Sequence, residues 1–133
     1  MLKFLSNFVL IICSLCFTLI YPIESSAADR DIIILHTNDI HCGVKDNLGM
    51  AKLAWLKSSL QGENYSVVLI DAGDAIQGAP IGRLSNGLAM IKIMNKVGYD
   101  FCIPGNHEFD YGMERFLQLV KEQKEGYYSS NII

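Results

Sequence analysis

The sequence predicts an α/β fold with parallel strands, and two features of the pattern support this prediction. Short apolar runs suited to strands alternate with longer segments whose apolar residues recur at helical spacing. Each of the first three apolar runs after Asp31 is followed at once by a polar loop that contains Asp, Asn or His. Strands that alternate with helices pair in parallel through right-handed crossovers, so these loops are expected to meet at the carboxyl edge of one sheet.

The elements follow in order from Asp31. Strands are predicted at residues 32–36, 66–70, 100–103 and, as the start of a fourth, 127–133. Helices are predicted at residues 50–60, 87–97 and 113–123. The segment 79–86 is rich in Gly, Pro and Ser and is predicted as a loop. Three consecutive isoleucines in the first strand suit burial on both faces of a sheet.

The apolar stripes of the helices are predicted to form the core. The second helix carries its stripe at Leu88, Ile91, Met94 and Val97. The third helix carries its stripe at Met113, Phe116, Leu117 and Val120. In the first helix the apolar positions are Ala51, Ala54 or Trp55, and then Leu56 and Leu60, with Lys52, Lys57, Ser58 and Ser59 on the polar side. Such Met and aromatic stripes are typical of core faces and not of cofactor sites.

Residues 1–28 have the layout of a secretory signal peptide. One cation, Lys3, precedes an apolar stretch over residues 8–21, and small residues follow up to Ala28. The apolar stretch is shorter than the ~20 residues that a membrane-spanning helix needs, which favours cleavage over an uncleaved anchor. The chain is therefore expected to be exported to the periplasm, the cell envelope or the medium, with no membrane span after cleavage. The domain proper is expected at residues 29–133.

Charge and cysteine content exclude some classes of protein. Removal of residues 1–28 takes away one cation, Lys3, and one anion, Glu24, so the net charge stays at −3. That balance argues against binding of a nucleic-acid polymer, which calls for a basic surface. Cys42 and Cys102 are too few for a disulfide scaffold, and burial as small apolar residues is favoured over pairing.

The three loops after the strands carry the candidate functional residues. Asp39 and His41 stand two apart after the first strand, and Asp74 follows the second strand between Gly73 and Gly78. A carboxylate has two oxygens and can bridge two ions, although Asp74 can also simply cap a turn. Metal sites combine such anionic oxygens with imidazoles. These loops are therefore candidate metal-binding loops.

The third loop reads G-N-H-E-F-D over residues 105–110. Asn106 offers an amide oxygen, His107 an imidazole, and Asp110 a carboxylate that can orient the imidazole. The alternative for Asp110 is to cap the helix that begins near residue 113. Glu108 is expected to be solvated or bound to local backbone, and His36 to be a buried, hydrogen-bonded histidine. Asp71 is expected to support its loop as an acceptor.

These loops resemble those of the calcineurin-like metallophosphoesterases. The resemblance rests on D-I-H at 39–41, G-D-A-I-Q-G at 73–78 and G-N-H-E-F-D at 105–110, and the longer forms H-T-N-D-I-H and G-N-H-E-F-D-Y-G are similar to the 5'-nucleotidase branch. It implies a two-sheet sandwich flanked by helices, of which this chain covers the N-terminal half of the catalytic domain. The family usually has Gly where Cys42 stands, and a cysteine there can crowd the loop or offer a thiolate.

The resemblance also implies roles for the residues. Two divalent metal ions, from among Mn, Zn, Mg, Ca and Fe, would be held by Asp39, His41, Asp74 and Asn106, and His107 with Asp110 would form a catalytic dyad beside the substrate. The implied reaction is attack of a metal-bridged hydroxide on a nucleoside monophosphate. Related branches cleave 2',3'-cyclic nucleotides or nucleotide sugars. Because the second ion would have few ligands here, a noncatalytic metal- or nucleotide-binding fragment is the rival hypothesis, and residues 29–133 alone are expected to be poorly soluble and inactive.

Overall fold

A computed structural model describes residues 31–130. It contains three strands, β1 (Ile32–Thr37), β2 (Ser66–Asp71) and β3 (Phe101–Cys102). It contains four α-helices, α1 (Met50–Gly62), α2 (Pro80–Ser85), α3 (Leu88–Val97) and α4 (Met113–Glu122), and a 3-10 helix at His107–Phe109. The predicted signal peptide and residues 131–133 of the predicted fourth strand lie outside the described residues. Within residues 31–130, none of the helices is long and apolar enough to span a bilayer.

The three strands form one parallel sheet in the order β1-β2-β3, as the alternation of strands and helices predicted. The β1–β2 register runs from Ile32 opposite Ser66 to Thr37 opposite Asp71. At the start of the predicted fourth strand, Tyr127 forms an isolated parallel bridge with Cys102, and no strand is formed there within the described residues. The part of the chain that the structure describes therefore contributes one sheet, and the second sheet of the predicted sandwich is not formed within it.

The core lies between the sheet and the helices on one of its faces. Its largest fully buried side chains are those of Tyr99, Leu69, Ile76, Met90, Ile91, Met94 and Leu119. The predicted α3 stripe is confirmed, since Ile91, Met94 and Val97 are all buried. The predicted α4 stripe is wrong in part, because Met113 and Leu117 are exposed and Leu119 is buried in the core instead.

The opposite face of the sheet is open in the described residues. Ile32 is 70% exposed and Ile34 is 63% exposed, so the prediction that β1 is buried on both faces is wrong here. His36 follows on the same face because side chains alternate along a strand, and it is exposed, against the prediction of a buried histidine. The helices of the described chain cover only the other face, which explains both differences.

The segment predicted as a loop contains a short helix instead. Pro80 stands in the first turn of α2, where a missing N–H costs nothing and its restricted φ suits the helix. Asn86 ends the helix in the left-handed conformation with φ of 45°. Gly82 is tolerated because the helix packs against Cys42, and a Cβ at Gly82 would overlap the Cys42 Sγ. Close packing against Cys42, and not the helix propensity of its residues, therefore determines that this segment is helical.

Lys57 is buried in α1, whereas the sequence pattern placed it on the polar side of the helix. The buried residues of α1 are Met50, Leu53 and Lys57, and Trp55 is 69% exposed. Lys57 Nζ donates to the Asp100 carboxylate at 2.7 Å and to the carbonyl oxygen of Gly98. A buried ammonium needs such partners, and these two tie α1 to the segment between α3 and β3.

Candidate metal and phosphate site

The three candidate loops meet at the carboxyl edge of the sheet, as predicted. Backbone hydrogen bonds join the first loop to the second: Asp39 N–H donates to Gly73 O at 3.1 Å, and His41 N–H donates to Asp74 O at 2.9 Å. Two further backbone bonds hold the flanking residues of the same loops, from Cys42 N–H to Ala75 O and from Ala79 N–H to His41 O. The loops therefore form a connected platform and do not project separately into solvent.

Three of the predicted metal ligands have an unusual backbone conformation. Asp39, His41 and Asp74 have φ values of 53°, 48° and 58°, in the left-handed region that residues other than glycine rarely occupy. Such conformations persist only where surrounding contacts enforce them, and they cluster at functional sites. Here the bonds between the loops supply that enforcement and fix the backbone from which the three side chains project.

His41 is oriented as metal-binding histidines are. Its Nδ1 lies 3.2 Å from the carbonyl oxygen of Gln77, which can only accept, so the proton is on Nδ1. In the neutral ring Nε2 then carries the lone pair, and the Asp39 Oδ1 lies 3.6 Å from Nε2. In a metal-binding histidine, the ring nitrogen that does not ligate usually donates a hydrogen bond of this kind, which fixes the tautomer of the ring. The predicted pair of Asp39 and His41 is thus placed together.

Asp74 and His107 complete the cluster. Ligand atoms of His41, Asp74 and His107 all lie within 4.8 Å of one another, close enough to hold an ion. The ring centroids of His41 and His107 are 5.1 Å apart. Asp74 Oδ1 also accepts a hydrogen bond from the backbone N–H of His107 at 2.8 Å. The structure therefore brings His107 to the same point as two of the predicted ligands.

The predicted dyad of His107 and Asp110 has hydrogen-bonding geometry. His107 Nδ1 lies 2.7 Å from Asp110 Oδ2. This hydrogen bond raises the pKa of His107 above its ordinary value. The alternative role of Asp110 as a helix cap is wrong, because Gly112 precedes α4 and no side chain caps it.

Asn106 is exposed directly before the 3-10 helix and next to His107. Its backbone carbonyl accepts from the Phe109 N–H at 3.3 Å, so the backbone is held while the side chain faces outward. Its role as a ligand stays a prediction.

Cys42 does not offer a thiolate. It is 2% exposed, and its Sγ lies 3.4 Å from the Ala75 carbonyl. Burial, and then the charge of Glu108, raises the pKa of the thiol to about 11, so it is neutral at pH 7. The side chain does not crowd the loop either, because Gly82 leaves room for it. Cys42 and Cys102 are both buried and free, as predicted.

The donor set fits divalent cations. The site combines the carboxylates of Asp39 and Asp74 with imidazole nitrogen, and such donors suit borderline and hard divalent ions. A Cβ at Gly105 would lie 2.8 Å from the Asp74 Cγ, and a Cβ at Gly78 would lie 2.7 Å from the His41 Cβ. Glycines thus leave the space that these two side chains occupy.

Two contributors were missed by sequence reasoning. The Gln77 backbone carbonyl orients His41, and a backbone role leaves no trace in residue type. Glu108 was expected to be solvated or bound to local backbone, yet it is fully buried and bound to backbone of two loops. The motif places Glu108 among the site residues but does not reveal that its side chain points inward. The backbone of the 3-10 helix determines that orientation.

Asp71 supports the loop after β2 as a hydrogen-bond acceptor, as predicted. Its carboxyl accepts from Thr37 Oγ1 at 2.8 Å and from the Gly73 N–H at 3.2 Å. Burial raises its pKa to about 7, and the nearby carboxylates of Glu108 and Asp74 act in the same direction. Because the folded pKa lies above the unfolded value of 3.8, the proton stabilises the fold fully below about pH 4, and this stabilisation is lost as pH rises to 7.

We therefore expect Asp71→Asn, which is neutral at every pH, to flatten the pH dependence of stability. Between pH 5 and pH 8 the wild type should lose on the order of 1–3 kcal/mol more unfolding free energy than the variant. Urea denaturation of the purified protein at both pH values measures this difference. Asp31→Asn, at an exposed position, is the control and should follow the wild type. Parallel curves for Asp71→Asn and wild type would contradict the assignment.

Comparison with known proteins agrees with this geometry. A family model described as calcineurin-like phosphoesterase matches residues 32–133. The 5'-nucleotidase of Rattus norvegicus is 31% identical over an alignment 133 residues long, and this alignment covers 89% of this chain and 23% of that protein. The snake venom 5'-nucleotidase of Gloydius brevicauda is 34% identical over an alignment 121 residues long, which covers 80% of this chain and 21% of that protein. The chain thus spans less than a quarter of the length of these curated relatives.

Solved structures share the fold of the described residues. The NAD nucleotidase of Haemophilus influenzae superposes with a TM-score of 0.69 at 29% identity, over 75% of this chain and 20% of that one. The 5'-nucleotidase precursor of Thermus thermophilus superposes with a TM-score of 0.67 at 27% identity, over 74% of this chain and 22% of that one. The one-sheet arrangement therefore corresponds to part of a larger fold.

Proposed function

The chain belongs to the calcineurin-like phosphoesterase family, and from this premise we propose that the protein is a metal-dependent phosphoester hydrolase of the 5'-nucleotidase type. Its reaction would be the addition of water to the phosphorus of a nucleoside monophosphate, with release of nucleoside and phosphate. The observation that carries this proposal is the convergence of His41, Asp74 and His107 within 4.8 Å. The names of the 5'-nucleotidase relatives support the substrate class.

The proposed division of labour follows from the side chains. Asp39, His41, Asp74 and Asn106 would hold two divalent ions, whose identity among Mn, Zn, Mg, Ca and Fe the donor set leaves open. Bound ions of this kind supply a Lewis acid for phosphoryl oxygens and lower the pKa of water.

His107 has its Nδ1 engaged by Asp110, so its Nε2 is the nitrogen left to face a ligand. A proton held on that nitrogen would stabilise negative charge on the phosphoryl or leaving oxygen. Because the hydrogen bond to Asp110 raises the pKa of His107, it favours the protonated ring that this role needs.

The test is phosphate release from AMP by the protein purified from its own cells. We expect release to fall to background with EDTA and to return when Mn²⁺ is added in excess. Asp110→Asn should lower kcat on the order of 10²-fold while the Mn²⁺ concentration needed for activity stays the same, because Asp110 orients His107 and holds no ion in this scheme. Mn²⁺ binding without phosphate release from any nucleotide would favour a noncatalytic binding role instead.

A second group of substrates is favoured by one comparison. The NAD nucleotidase of Haemophilus influenzae superposes on the described residues with a TM-score of 0.69, which brings the dinucleotide NAD into the proposal. The resemblance of the loops adds nucleotide sugars and 2',3'-cyclic nucleotides. The same assay with NAD, UDP-glucose and 2',3'-cyclic AMP distinguishes them from AMP. A higher kcat/KM for any of these than for AMP would overturn the 5'-nucleotidase assignment and keep the hydrolase assignment.

The proposal includes export, with residues 1–28 removed and a domain that starts at residue 29. The layout of Lys3, the apolar stretch and Ala28 supports it, as does the occurrence of relatives in snake venom. The N-terminal sequence of the protein purified from its own cells decides this point. An N-terminus at Met1 would contradict cleavage.

A further inference from the structure

The side chain of Glu108 connects two of the site loops. It lies in the 3-10 helix His107–Phe109 and is 0% exposed. Its Oε1 accepts from the Ala75 N–H at 2.8 Å and the Ile76 N–H at 3.4 Å. Its Oε2 accepts from the Asp74 N–H at 2.8 Å and the Gly105 N–H at 2.6 Å.

Four backbone donors on one carboxylate are a specific arrangement. A buried carboxylate is costly unless hydrogen bonds compensate it, and bonds to an ionised acceptor are about twice as strong as neutral ones. The N–H groups of the consecutive residues 74–76 converge on Glu108 in the manner of an anion-binding nest. The carboxylate thus holds the loop after β2 in one shape and links it to the loop after β3.

The same link determines where Asp74 points. Glu108 Oε2 accepts from the Asp74 N–H, and Asp74 Oδ1 accepts from the His107 N–H at 2.8 Å, so the two loops are joined reciprocally. Asp74 has a φ of 58°, which a non-glycine residue keeps only under such constraint. Release of its N–H from Glu108 would remove one of the bonds that enforce this conformation.

We propose that Glu108 is a positioning residue for the metal site, which acts by holding the backbone of Asp74 and of the 105–107 segment in the ligating arrangement. This inference rests on the proposed function for the identity of the site. Glu108 does not touch an ion or substrate, because both of its oxygens are engaged by backbone N–H groups and its side chain is buried. Its effect on binding is exerted through Asp74.

The experiment compares Mn²⁺ affinity of wild type and Glu108→Gln by isothermal titration without substrate. The amide keeps the size of the side chain but carries no charge and offers one oxygen in place of two, so two of the four N–H groups lose their acceptor. We expect the Mn²⁺ Kd to rise 10- to 100-fold, the range that outer-shell partners of metal ligands show. In EDTA, amide hydrogen exchange over residues 73–76 should accelerate. At saturating Mn²⁺, kcat should recover toward the wild-type value.

Two variants separate positioning from general loss of stability. Lys57→Met removes the buried ion pair with Asp100, away from the site, and should lower the Tm while leaving the Mn²⁺ Kd within twofold of wild type. Glu114→Gln removes an exposed glutamate of α4 and should change neither quantity. If Glu108→Gln does not fold, Glu108→Asp replaces it, since the shorter carboxylate keeps the charge but cannot reach both loops.

A Mn²⁺ Kd for the folded Glu108 variant within twofold of wild type would overturn the proposal. So would an equal loss of Mn²⁺ affinity in Lys57→Met, because the effect would then follow stability alone. A wild type that binds Mn²⁺ but releases no phosphate refutes the proposed function, and the Mn²⁺ titrations still decide the role of Glu108.

Discussion

Replacement of Asp74 by asparagine is expected to weaken Mn²⁺ binding on the order of 100-fold or more and to lower phosphate release in proportion. The substitution is nearly isosteric, and the amide oxygen can still accept from the His107 N–H, so the loss reports the charge and the second carboxylate oxygen. Outer-shell partners of metal ligands account for 10- to 100-fold in affinity, and direct removal of a ligand charge should meet or exceed that range. Isothermal titration with Mn²⁺ and the AMP assay measure the two effects.

The matched control is Glu63→Gln, which removes one exposed carboxylate at the C-terminal end of α1. It should leave Mn²⁺ affinity unchanged, because Glu63 is exposed and a solvated charge outside the site is screened. Retention of wild-type affinity by Asp74→Asn would show that Asp74 is a turn residue, the alternative that the sequence left open.

A single methyl group at Gly105 is expected to disable the site. An alanine Cβ there would lie 2.8 Å from both the Asp74 Cγ and the Asp74 backbone N, and these atoms cannot move without release of the contacts to Glu108. Gly105 does not have a positive φ, so the effect of Gly105→Ala is steric and not conformational. Overpacking of this kind costs about 1–3 kcal/mol, and a displacement of about 1 Å at a catalytic group can cost 10²-fold in rate.

Urea denaturation and the AMP assay test this prediction, and Gly62→Ala is the control. Gly62 is the last residue of α1, and a Cβ there meets no atom within 4 Å. Alanine should therefore be neutral or stabilise the protein by up to about 1 kcal/mol, with unchanged activity. Activity of Gly105→Ala equal to that of Gly62→Ala would mean that the loops adapt and that the position of Asp74 is not critical.

Sequence periodicity was sufficient for the strands and most helices because these elements repeat a simple pattern of buried positions. β1, β2 and α3 begin and end within one residue of the prediction. The approach of Asp39, His41 and Asp74 was also predictable, since parallel strands bring their carboxyl ends to one edge. The helix at Pro80–Ser85 was not predictable, because it depends on contact between Gly82 and Cys42, which are far apart in sequence.

Residue type alone mispredicts burial where a partner from a distant segment satisfies a charged side chain. Lys57 and Glu108 both look like surface residues, and both are buried because backbone or side-chain partners from other segments satisfy them. Conversely, Ile32 and His36 lie exposed, because burial depends on which face of the sheet other segments cover.

The sequence by itself determined the α/β class, the order of the three loops and the chemical types of their candidate ligands, because these follow from local periodicity and residue identity. Only the tertiary structure decided which atoms converge. The tautomer of His41 depends on the Gln77 carbonyl, the role of Asp110 on its distance to His107, and the direction of Asp74 on Glu108. Each of these is a hydrogen bond whose geometry is set by packing and backbone conformation, and residue type alone carries no record of that geometry.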